Sequence, residues 1–147
     1  MCDLWRHTTN QTVPGGAIPR QIDYALQKLS EADYLKLYNS GSFFDPGAIP
    51  PKDYREIAGR VSHFEQVLVE SHTAFVNESN VEFSKMIGGK LQVAIGLETV
   101  HPEILPALNK GMRLEDFKGC VDFLGSHEIY TRAFILLRPP FLTEAEG

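Results

Sequence analysis

The sequence predicts an α/β fold built on parallel strands with helices between them. Three observations predict it. Segments of helical period alternate with short apolar runs of strand character along the chain. The ends of those runs recur about 30 residues apart, the length of a strand–helix–strand unit. The four run ends, "NSGS", "ESH", "GLET" and "LLRPP", are polar or rich in small residues, and in parallel α/β folds ligands sit at the carboxyl ends of strands.

Residues Pro19–Leu29 place Ile22, Ala25, Leu26 and Leu29 on one helical face, with proline suited to the first turn. Leu35 and Leu37 then alternate with Lys36 and Tyr38 before Asn39-Ser40-Gly41-Ser42 breaks the pattern, which reads as a strand entering a loop. Pro50–Phe64 repeats the helical spacing through Tyr54, Ile57, Ala58, Val61 and Phe64. Val67–Val69 reads as a short buried strand, and "NVEFSKMI" as a short helix stopped by Gly88-Gly89. The clearest strand is "LQVAIGLET": Leu91, Val93, Ile95 and Leu97 share one face, Gln92, Ala94, Gly96 and Glu98 the other. Helical "HPEILPALNKG" and "RLEDFKGCVDFLGSHE" follow, and a last strand "TRAFILL" is stopped by Arg138-Pro139-Pro140. With repeated right-handed units the sheet is a barrel or an open parallel sheet. A set of about four strands that begins with a helix and ends just after a strand is incomplete for either, so residues 1–147 are read as one incomplete domain.

The totals narrow the function classes. The chain has 147 residues, is 43% hydrophobic and 22% charged, and carries a net charge of −5. That suits a soluble domain or a piece of one. No apolar run reaches the ~20 residues of a membrane span, and the polar N-terminus lacks the apolar core of a signal peptide. Two cysteines, Cys2 and Cys120, make no disulfide framework, so the expected setting is the cytoplasm. The acidic balance speaks against tight nucleic-acid binding by this segment alone, but not against RNA held by other parts of a larger protein.

The chemistry is expected at the strand exits. Ala94 and Gly96 make one face small enough for a ligand to approach, and Glu98 on that face can accept hydrogen bonds from hydroxyls or an amine. Gly41 lets the loop turn tightly. Arg138 can pair with a carboxylate. Glu70 is a weaker candidate of the same kind. Cys120, among Phe117, Val121 and Leu124, reads as a buried helix residue, and Phe43-Phe44 as packing beneath the loop. The five histidines show no metal spacing. Lys36 and Arg132 read as early strand residues away from the chemistry.

Taken in order, "MCDLW", "YNSGSFFD", "VLVESH", "AIGLET", "LNKGM" and "FILLRPPF" resemble the radical S-adenosylmethionine (SAM) superfamily. The resemblance is to its elongator-catalytic-subunit-like branch, nearest to the radical SAM subunits of archaeosine synthases and their bacterial relatives. It spans nearly the whole chain and implies a partial (βα)6 radical SAM barrel. It further implies a [4Fe–4S] cluster held by three thiolates, with SAM chelating the open iron and giving a 5′-deoxyadenosyl radical on one-electron cleavage. On this resemblance Cys2 is the third cluster cysteine, and the Asn39, Ser40, Gly41, Ser42 loop meets the SAM amino group. The loop departs from the family's Gly-Gly-Glu pattern, keeping one glycine and no acid. Glu98 meets the ribose or the methionine part, and Arg138 lies near the adenine. The implied substrate is tRNA, with a partner subunit, through regions beyond this chain. The first two cluster cysteines would precede Met1, so the isolated chain is expected to hold no stable cluster and to leave SAM intact.

Two rivals stand beside this reading. An aldolase-type barrel would want a strand-end lysine or late phosphate-binding glycines. A degenerate barrel module would keep the packing and lack the cluster.

Overall fold

A computed structural model describes Arg6 and residues 11–145. Cys2 therefore lies outside the described residues. The strands are Tyr34–Leu37 (β1), Gln66–Glu70 (β2), Leu91–Glu98 (β3) and Tyr130–Ile135 (β4), and the α-helices are Ala17–Leu26 (α1), Tyr54–Val61 (α2), Glu78–Met86 (α3), Ile104–Ala107 (α4) and Leu114–Ser126 (α5). The strands form one sheet in the order β1-β2-β3-β4, every pairing parallel. This is an α/β fold with a parallel sheet flanked by helices, as a partial (βα) barrel requires.

Strand order explains the layering. When each strand pairs with the next in sequence and each crossover is right-handed, all helices fall on one face. The alternation of side chains delivers the apolar set to that face. Leu35, Val67, Val69, Leu91, Val93 and Ile95 join one core with Ile22 of α1, Ile57 and Val61 of α2, Phe83 of α3 and Leu124 of α5. The other face is mixed: Leu68 and Ala94 are buried, whereas Tyr34 and Tyr130 at its edges are 63% and 68% exposed.

Local chemistry fixes the helices. α1 begins after Gly16, whose left-handed φ of 76° needs no Cβ clearance, and the Gly16 N–H donates to the buried Asp53 carboxylate at 2.7 Å. A bidentate Arg60–Asp23 pair ties α2 to α1, and Arg60 holds the Asp23 carboxyl below its usual range. At the start of α3 the Asn77 side chain accepts the Ser79 N–H while Asn80 accepts the Asn77 N–H. Phe43 and Phe44 are buried as expected, in a cluster with Tyr54 and Phe83. Burial there pushes the Tyr54 phenol up to about 12.

The structure differs from the sequence reading most at the fourth helix, the last strand and Cys120. The helix expected over 101–111 shrinks to the single turn of α4, because Pro106 lacks an amide proton and sits in its middle. The last strand ends at Ile135 rather than Leu137, because β3 turns away at Glu98 and leaves only one more ladder bond, Leu136 N–H to the Glu98 carbonyl. Cys120 is half-buried on α5, its thiol 3.5 Å from the Thr73 carbonyl.

Candidate functional site

Three loops at the carboxyl ends of β1, β2 and β3 converge. The loop after β1 is tied to β2 by the Phe43 N–H, which donates to the Glu70 carbonyl at 2.8 Å. The His72 N–H donates to Ser42 Oγ at 2.9 Å. The Ser71 N–H reaches the Ala94 carbonyl of β3 at 2.9 Å. Between them lies a cleft of about 140 Å³ lined by Gly41, Ser42, Glu70, Ser71, His72, Gly96 and Lys110.

The Glu98 carboxylate and Lys110 ammonium dominate its chemistry. Lys110 Nζ lies 2.9 Å from Glu98 Oε1, with side chains only 30% and 20% exposed. Gly96 makes the room: a Cβ there would stand 2.7 Å from both Glu98 Oε1 and Lys110 Nζ. Glu98 itself has φ 67°, at a bulge where the β3–β4 register slips between Gly96 and Glu98. Held left-handed conformations of this kind cluster at functional sites. Burial raises the Glu70 carboxyl above its usual range; Lys110 opposes the shift and Glu98 adds to it. Two acids and one base thus meet at the cleft.

The structure places the expected residues unevenly. Gly41 and Ser42 line the cleft, and Glu98 borders it through Gly96 and Lys110. Asn39 donates from Nδ2 to the Ser42 carbonyl at 3.2 Å, while its buried Oδ1 finds no hydrogen-bond partner among the described residues. The left-handed residue of this loop is Ser40, φ 57°, not Gly41, whose position would accept a Cβ without contact. The freedom expected of the glycine is thus carried by the serine. Arg138 is exposed, three residues beyond the end of β4, and does not line the cleft. Sequence reasoning passed over Lys110, which lies at no strand exit, and His72, which stands in the exit "ESH" but shows no metal spacing. For Lys110 the available signal was Lys110-Gly111 in "LNKGM", a cation beside a turn glycine.

Two other clefts carry less chemistry. One of about 450 Å³ lies between the His72–Val76 segment and α5, and includes Cys120. The other, about 320 Å³, is a largely apolar groove between α1 and β1. No group of three or more potential metal ligands occurs among the described residues. No described helix is long and apolar enough to cross a membrane.

No protein-family model matches the chain, and no solved structure matches it. Two curated proteins are similar to it. One is an uncharacterized protein of Methanocaldococcus jannaschii, 27% identical over an alignment covering 100% of this chain and 43% of the relative. The second is archaeosine synthase subunit beta of Thermococcus kodakarensis, 29% identical over 89% of this chain and again 43% of the relative. The chain thus spans less than half the length of either.

Proposed function

We propose that this chain is the SAM-binding portion of a radical SAM enzyme that modifies tRNA together with a partner subunit. The observation that carries the reading is the Glu98–Lys110 pair, set beside the Ser42 loop at the carboxyl ends of three parallel strands. Similarity to a protein named archaeosine synthase subunit beta supports it.

The cleft suits one end of SAM. SAM presents an ammonium, a carboxylate and a ribose diol, and the cleft offers Lys110 for an anion and Glu70 and Glu98 for an ammonium or hydroxyls. Its 140 Å³ is below the roughly 300–1,000 Å³ of sites that enclose a drug-sized ligand. The remainder of SAM would therefore extend out of the cleft. The residues of this chain orient the ligand through Lys110 and Glu98, and the Asn39–Ser42 loop walls it from water on the β1 side.

The cluster does not fit this chain's donors. Of its two cysteines, the described one, Cys120, is half-buried on α5 with its thiol pushed up by burial, the reverse of what a thiolate ligand needs. Three thiolates would have to include residues from outside this sequence, and no step is derived through the cluster.

The test uses this chain and the longest reading frame that contains it, both reconstituted anaerobically with iron and sulfide. The proposal expects about four irons in the longer protein and 5′-deoxyadenosine on reduction with SAM. Cys2→Ala removes both. A longer protein without iron and without SAM cleavage would favour the degenerate barrel module.

A further inference from the structure

We propose that His72 is the positioning residue of this site, holding the Lys110 ammonium in place by anchoring the loop that carries it. The inference rests on reading the Glu98–Lys110 pair as a ligand contact. His72 bonds to all three converging segments. Its backbone N–H donates to Ser42 Oγ at 2.9 Å, across 30 residues of sequence. Its Nδ1 accepts the Ala74 N–H at 3.1 Å within its own loop. Its Nε2 lies 2.7 Å from the Lys110 carbonyl oxygen, across 38 residues.

These contacts select one form of the ring. A carbonyl only accepts, so Nε2 carries the proton; an amide N–H only donates, so Nδ1 is bare. The ring is thus the neutral Nε2–H tautomer, oriented at both ends. Lys110 needs such an anchor. It stands between α4 and α5 with left-handed Asn109 (φ 53°) before it and left-handed Gly111 (φ 65°) after it. Among the described residues no regular ladder holds that segment; the nearest backbone bond before it runs from the Asn109 N–H to the Pro106 carbonyl, and after it Met112 is buried with Leu97 and Leu105. Release of the Lys110 carbonyl would free the segment and carry the ammonium away from Glu98 and the gap above Gly96.

Two nitrogen-resolved NMR measurements test the proposal without a ligand. A long-range ¹H–¹⁵N spectrum of the unaltered chain is expected to show His72 as the Nε2–H tautomer; an Nδ1–H tautomer or an averaged pair overturns the proposal. The Lys110 side-chain N–H correlation, a signature of a held ammonium, is then compared in His72→Gln and His72→Asn. The glutamine amide reaches the place of Nε2 and can donate to the Lys110 carbonyl; the asparagine carbonyl reaches only the place of Nδ1. The correlation is expected in the unaltered chain and in His72→Gln, and lost in His72→Asn, with the sheet amide spectrum unchanged. Its absence from the unaltered chain, its loss in both variants or its survival in both contradicts the assignment. SAM titration is a separate reading: a held Lys110 that SAM leaves unmoved refutes the ligand contact and spares the positioning role.

Discussion

Tyr38 and Phe134 meet edge to face, ring centroids 6.5 Å apart and planes at 83°, although they belong to opposite edges of the sheet. Tyr38 follows β1; Phe134 lies in β4, opposite Gly96. Glu70, Ala94 and Gly96 point to the same face of the sheet as Phe134. Leu68 faces this side too, and both it and Ala94 are buried. Of the small residues of β3, Gly96 leaves space for the Glu98–Lys110 pair.

Full burial makes Ala94 sensitive to added volume. Ala94→Leu must displace its neighbours or bend β3, and overpacking of this kind costs about 1–3 kcal/mol. Urea denaturation of the variant checks it.

Gly96→Ala tests the space below the ion pair. The methyl would meet two flexible side-chain ends rather than backbone, so the chain still folds, at a cost of about 1 kcal/mol. The pair itself does not survive, and the Lys110 side-chain N–H correlation disappears.

Glu98 stores backbone strain. Glu98→Gly removes the penalty of a left-handed φ along with the carboxylate, and retains stability. Glu98→Val places a branched Cβ at φ 67° and loses about 1–3 kcal/mol. Equal melting curves for the two variants would contradict the bulge geometry.

Glu70 predicts a pH dependence with a definite sign. Its carboxyl is raised in the folded chain, so the folded state binds the proton more tightly than the unfolded state. Stability from this group is fully present below the unfolded pKa and is lost as pH rises through the folded one. Glu70→Gln is therefore more stable than the unaltered chain at neutral pH, and the advantage vanishes in acid, where both carry a neutral side chain. Melting curves across that range measure it.

Phe83 is completely buried against Phe43, Phe44 and Tyr54. Phe83→Ala costs about 3–5 kcal/mol, a large share of the roughly 5–15 kcal/mol that holds a typical domain folded. Loss of cooperative melting near room temperature is the expected result.

What could be read from the sequence follows the range of the forces involved. β3 was legible because Leu91, Val93, Ile95 and Leu97 alternate strictly and one face is buried. The β1 exit loop was legible because Asn, Ser and Gly break a short apolar run. The end of β4 was not: Leu136 and Leu137 are as apolar as the strand before them, but the partner strand turns away at Glu98, a fact held in another part of the chain. Lys110 was hidden for the same reason. It reaches Glu98 across 12 residues and is anchored by His72 across 38, and neither spacing has a local signature. Arg138 was misread as a strand-end residue because the apolar run before it outlasts the ladder.

One titration bears most directly on the central claim that the three converging strand-exit loops form the ligand site. SAM is added to millimolar concentration to the ¹⁵N-labelled chain, and amide shifts are followed residue by residue. The account predicts the largest changes at residues 39–42, 70–72, 96–98 and 110–111, with the Lys110 ammonium moving in step. Shifts confined to the groove between α1 and β1 or to the Cys120 cleft, or no shifts at all, would contradict it.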